Sequence, residues 1–96
     1  MKENDPLFVV ILTYKVDLEI MNQHREEHLK FINKHYTNGT FIVSGRQNPR
    51  TGGVIIAKCD SKSDLEKILE QDPFTQHNLV EHTIYEFTPT QSLKGL

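Results

Sequence analysis

The run Leu7-Phe8-Val9-Val10-Ile11-Leu12 contains no polar position, and this restricts what the chain can become. It is far too short to cross a bilayer, which takes about 20 residues in a helix. Its β-branched and aromatic content marks Leu7 to Tyr14 as a strand, with Pro6 before it and Lys15-Val16-Asp17 after it. Side chains alternate across a strand, so Phe8, Val10 and Leu12 face one way and Val9 and Ile11 the other. A sheet open to water on one side would alternate apolar with polar. A second short strand, Thr40 to Ser44, shows the same habit, with Phe41 and Val43 opposing Ile42. Both faces of the sheet therefore need cover.

The rest of the chain supplies cover for one face. Asp17 to Asn38 reads as a long amphipathic helix with Asp17 as its N-cap and Gly39 in the left-handed position after it. Gly45 to Gly53 is a loop, with Gly52-Gly53 easing entry into a third strand, Val54 to Cys59. Ser61 caps a second helix whose core face is Leu65, Ile68 and Leu69, and Asp64 suits its dipole. Asp72-Pro73-Phe74 ends that helix and begins a turn or single helical turn; Glu81 to Phe87 is the last strand and Thr88 to Leu96 a tail. The order β-α-β-β-α-β is the split βαβ, ferredoxin-like arrangement: an α+β subunit with two helices on one face of a four-stranded antiparallel sheet. No repeat or linker interrupts residues 1–96, which read as a single domain with its core in 7–88. With no further helix available, a second copy of the same sheet is the simplest cover for the other face, and a homodimer through sheet faces is expected.

Composition narrows the partners. The formal charge is −2 and no long run of Lys or Arg occurs, which argues against nucleic acid and against an anionic membrane surface. The start Met-Lys-Glu-Asn-Asp-Pro is polar and acidic, unlike a signal peptide. The single cysteine, Cys59, excludes an internal disulfide and fits a reducing cytoplasm; it reads as a small strand residue, not a nucleophile.

Candidate functional residues emerge on the first helix. Advancing 100° per residue gathers Leu18, Met21, Leu29, Ile32 and Tyr36 into one stripe, with Arg25 in its middle and His28 on its edge. A buried guanidinium costs several kcal/mol unless compensated, so Arg25 is expected to face a cavity between helix and sheet. The plainer alternative is an Arg25 that snorkels or pairs with a carboxylate, and a His28 satisfied at the rim. His24, His28 and His35 fall in a narrow arc, and His24 and His28 have ligand-like spacing. There is no Cys pair and no H-E-x-x-H, and the carboxylates near His24 read as pointing elsewhere. No metal site is expected. His24 and His35 are assigned to the solvated face, and His77 and His82 to surface or strand. No glycine-rich nucleotide loop is present, and no cofactor is expected.

Three short motifs in order, Arg25-Glu26-Glu27-His28, Ser44-Gly45-Arg46 and Asp72-Pro73-Phe74, together with the closing segment Asn78 to Phe87, resemble the YciI-like (YCII-related) family over about residues 7–88. The resemblance implies a dimeric α+β barrel and a His/Asp pair at the active site. Carried onto this chain, the pair is His28 from R-x-x-H and Asp72 from D-P-F. Some relatives look like small-molecule lyases acting on aromatic ring compounds. The family often has S-G-P where this chain has Ser44-Gly45-Arg46, a departure that alters the loop and bears on substrate choice.

These residue types suit one chemistry. A carboxylate on one ring nitrogen of His28 fixes its tautomer and stabilises its protonated form, leaving the other nitrogen to take a proton from a substrate. Arg25 can hold an anionic group through paired hydrogen bonds, while Ser44, the Gly45 amide and Arg46 offer donors to a carboxylate or enolate oxygen. Two readings stay open: a cofactor-free lyase or isomerase acting on a small anionic metabolite, or a non-catalytic dimer that binds one. Phosphoryl transfer to His28 is a lesser variant. Plain turn chemistry for Ser44-Gly45, and a simple cap for Asp72, are the structural alternatives.

Overall fold

A computed structural model describes residues 5–94. Its elements follow the order β1 (Leu7–Tyr14), α1 (Leu18–Gln23), α2 (Arg25–Thr37), β2 (Phe41–Arg46), β3 (Gly52–Lys58), α3 (Lys62–Leu69), α4 (Pro73–Gln76) and β4 (Val80–Phe87). The sheet order is β2-β3-β1-β4 with antiparallel pairing throughout, the ferredoxin-like α+β arrangement. The most apolar strand, β1, is central. Its inner residues Phe8, Val10 and Leu12 are buried beneath the helices, each contributing roughly 1.5–3 kcal/mol. The start of α1 and the end of α2 fall where local chemistry asks. The Asp17 side chain accepts from the Ile20 amide at 3.1 Å, and Gly39 turns with φ +82°. The Ser61 hydroxyl likewise accepts from the Asp64 amide at 3.1 Å.

The first helix departs from the sequence expectation. It breaks at His24 (φ −111°, ψ 4°), whose amide bonds back to the Met21 carbonyl at 3.1 Å, a tighter turn than α. Beyond the break the buried residues are Phe31, Ile32 and His35, with His28 half-buried among them. Of the expected stripe only Met21 and Ile32 are core; Leu18, Leu29 and Tyr36 are exposed at 37–39%. The physical reason lies in what apolar residues can line. Leu29 forms part of a cavity wall and the Tyr36 hydroxyl bonds Ser44, so part of the stripe marks a pocket, not the core.

A second departure is a bulge in β2. Phe41 pairs with Ala57 and Val43 with Ile56, so two steps along β2 match one along β3. Phe41 points inward and Val43, 55% exposed, points outward, against the simple alternation that put them on one face. The slip also turns Ser44 and Arg46 to the inner side, opposite Ile55 and Gly53. β2 runs on to Arg46 and β3 begins at Gly52, which shortens the expected loop. At Gly52 a side chain would collide with the Leu12 carbonyl oxygen, so the close approach of β3 to β1 requires glycine there.

The outer sheet face is apolar as expected. Val9 lies opposite Ile56 on one side and Tyr85 on the other, and Tyr85 and Phe87 are 60% and 44% exposed. No helix among the described residues is long and apolar enough to cross a membrane.

Candidate active site

The expected His/Asp pair forms. Asp72 is fully buried at the start of α4, where Pro73 occupies the first helical position and pre-sets the turn. Its Oδ1 accepts from the Phe74 amide at 3.0 Å and from His28 Nδ1–H at 2.8 Å. The capping reading and the partner reading of Asp72 thus hold at once, through a single oxygen. Oδ2 is buried without a hydrogen-bond partner among the described residues. A buried carboxylate with an idle oxygen is costly, so the two bonds to Oδ1, from His28 and from the Phe74 amide, are what compensate its burial. Phe74 completes the clamp by stacking on the His28 ring, centroids 3.9 Å apart and planes within 6°.

With Nδ1 committed to Asp72, Nε2 is the ring nitrogen left to act on the cavity that His28 lines. That cavity, about 430 Å³, has an apolar wall from Leu12, Tyr14, Leu29, Ile32, Ile55 and Phe74. Its polar lining is Ser44, Gly45 and three arginines: Arg25 from α2, Arg46 from β2 and Arg50 from the β2–β3 loop. All expected site residues therefore gather at one place, with Asp72 just behind His28. Arg25 differs from expectation in one respect. It lines the cavity but is solvent-exposed, so its charge is not desolvated and the cost argued from its mid-stripe position does not arise.

Arg50 and Tyr14 are not among the site residues expected from sequence, and Tyr36 is expected there only as part of the apolar stripe. Arg50 is held by Nη2 donating to Asn22 Oδ1 at 2.9 Å, a tie between the loop and α1. Tyr36 and Ser44 share a hydrogen bond of 2.6 Å at the rim. The one local signal for Arg50 was the pair of arginines four apart in Arg46-Gln-Asn-Pro-Arg50.

Among the other histidines His35 departs from expectation, whereas His77 is exposed and His82 lies on a strand, as expected. His35 is buried, not on the solvated face: it accepts from the Asn38 side-chain Nδ2 at Nδ1 (3.1 Å) and donates from Nε2 to Gln71 Oε1 (3.3 Å). Burial pushes its pKa below the ordinary 6.5, with nearby Lys34 acting the same way against the Gln71 and Asn38 hydrogen bonds. His82 on β4 is half-buried beside the Thr75 hydroxyl, 3.3 Å from Nε2; burial lowers its pKa against the pull of Asp72. His24 meets His77 at a tilt of 33° with centroids 4.1 Å apart, and a Glu27 carboxylate oxygen lies within 4.8 Å of a nitrogen on each, contrary to the expectation that acidic groups point away. Burial raises the Cys59 thiol, with Asp64 and Asp60 adding to it, so Cys59 is not an activated nucleophile.

A ferredoxin-like subunit with a carboxylate-held histidine over an arginine-lined cavity defines the class of α+β protein to which this chain is compared. The chain belongs to the YCII-related domain family, whose pattern matches residues 7–88. Among solved structures it is similar to 5-chloro-2-hydroxyhydroquinone dehydrochlorinase (TftG) from Burkholderia phenoliruptrix AC1100, a complex with 2,5-dihydroxybenzoquinone. The TM-score is 0.75 at 18% identity, covering 85% of this chain and 93% of that one. It is also similar to SnoaB, a cofactor-independent oxygenase from Streptomyces nogalater, with TM-score 0.53 at 18% identity over 93% of this chain and 96% of that one. Among curated protein sequences none matches this chain. These likenesses establish a shared fold, the subunit fold of dimeric α+β barrels.

Proposed function

We propose that this chain is a small-molecule enzyme, a lyase or isomerase, that moves a proton with His28 on an anionic, ring-sized substrate. The observation that carries the reading is the 2.8 Å bond from His28 Nδ1 to fully buried Asp72, with the same ring lining the cavity. In an elimination, Nε2 takes a proton from a substrate carbon. The freed electron pair forms the new double bond, and the leaving group departs from the adjacent carbon with its own pair. In an isomerisation the imidazolium returns the proton at another position. Asp72 stabilises the imidazolium in either case. Arg25, Arg46 and Arg50 hold the substrate's anionic group, and Ser44 with the Gly45 amide offers donors to a developing oxyanion. No step calls on a cofactor.

The names of the structural neighbours support the substrate class: one is a dehydrochlorinase bound to a dihydroxybenzoquinone and the other a cofactor-independent oxygenase. A lining that combines an apolar wall with three arginines suits a planar ring bearing acidic oxygens. We further read the outer sheet face, with Val43, Tyr85 and Phe87 exposed, as the contact of a homodimer in the cytoplasm. Sedimentation at micromolar concentration should show a dimer; a monomer would exclude this assembly.

The test is turnover against a panel of hydroxylated and halogenated aromatic acids and quinols, with His28→Ala and Asp72→Asn beside the parent. Turnover that needs His28 supports the enzyme. The three arginines also favour a second reading, anion capture without chemistry. Saturable binding that survives His28→Ala, with no turnover by the parent, would select it.

A further inference from the structure

We propose that His24, Glu27 and His77 form a binding site for a borderline divalent metal ion, of the zinc class, separate from the cavity. His24 sits at the break between α1 and α2, Glu27 lies three residues on in α2, and His77 caps the end of α4. The three are brought together by the fold: the imidazoles meet at a tilt of 33° with centroids 4.1 Å apart, and one ligand atom from each residue lies within 4.8 Å of the others. Metal bonds of about 2.0–2.2 Å put the ligand atoms of a tetrahedral site roughly 3.4 Å apart. The side chains therefore need to close by about an ångström. Side-chain rotation supplies that, because Glu27 and His77 are exposed and His24 is half-buried.

The donor set chooses the ion. Two neutral imidazoles and one carboxylate suit zinc, nickel or copper, whereas calcium and magnesium ask for oxygens. Three protein ligands leave a fourth position for water. None of the three residues lines the arginine-rich cavity, so the site stands whether or not that cavity is catalytic.

Its position gives it a role. The His24 carbonyl accepts the His28 amide at 3.1 Å, and the His77 amide bonds back to the Pro73 carbonyl at 3.0 Å. An ion held here ties the start of α2 to the end of α4, the two elements that bring His28 and Asp72 together. It is a clip behind the pair.

The test uses untagged protein stripped with a chelator and titrated with zinc chloride, followed by calorimetry and thermal denaturation. We expect one ion per chain and a Tm that rises by several degrees and falls again with chelator. Glu27→Gln and His77→Ala should each weaken binding by about tenfold or more. NMR should show the His24 and His77 ring signals moving while His28 stays. No saturable binding up to roughly millimolar zinc, or binding of full strength in His77→Ala, overturns the site.

Discussion

Two histidines on one face of α2 take partners from adjacent residues: His28 bonds Asp72, and His35 bonds Gln71. They lie two helical turns apart, and both are backed by Phe31. Everything else about them differs. His28 has a buried carboxylate behind it and a cavity before it, while His35 has neutral amide partners and does not line that cavity. Burial alone, without an opposite charge, disfavours the imidazolium, so His35 is fitted to stay neutral and pack. A carboxylate partner and an open face are what turn the same side chain into a proton carrier.

The comparison breaks most sharply by deletion. His28→Ala should lower turnover by about 10²- to 10⁴-fold, the usual contribution of a positioned acid–base group, with the chain still folded. Asp72→Asn should cost less, roughly 10²-fold, because asparagine still caps α4 but cannot stabilise the imidazolium. His35→Leu should leave kcat within about twofold while changing stability. Equal losses of kcat at the two positions, measured by steady-state kinetics, would erase the distinction.

Exchanging the partners sharpens it. Gln71→Glu places a carboxylate beside His35 and Lys34, and His35 should then hold its proton to higher pH in an NMR titration. Turnover should not change, and Gln71→Glu should not rescue His28→Ala, because His35 does not line the cavity on which His28 acts. Rescue would mean that charge alone makes the site.

What the sequence reveals and what it conceals divide along the same line. The caps at Asp17 and Ser61, the turn at Gly39 and the two-faced apolarity of β1 are local signals, and each is realised. The His28–Asp72 bond spans 44 positions and was readable only through a family motif. Nothing local announces Gln71 as the partner of His35, 36 positions away, or the bulge at Ile42, which exists only in the pairing with β3. The break at His24 belongs here too, since no glycine or proline marks it. These features come from tertiary packing, and periodicity at a fixed 100° passes over them.

The smallest effect concerns pH. His35 and His82 both have pKa values lowered from 6.5 by burial. Above that value they are neutral whether the chain is folded or not, and their full contribution to stability is present. As pH falls below it, the unfolded chain takes up protons that the fold excludes, and ΔG of unfolding must drop until the folded-state pKa is passed. The share of stability due to His35 and His82 should therefore fall between about pH 7 and about pH 5, read in denaturant melts as the difference between the parent and variants lacking them. His35→Leu removes one of these groups and should flatten part of that slope, leaving the share due to His82. Its two former partners, Asn38 and Gln71, are exposed and can turn to water, so the substitution isolates the titration from any unpaired buried group. A parent and a variant with the same pH slope would show that His35 takes up its proton in the folded chain as readily as in the unfolded one. The contrast with His28 would then rest on access to the cavity alone.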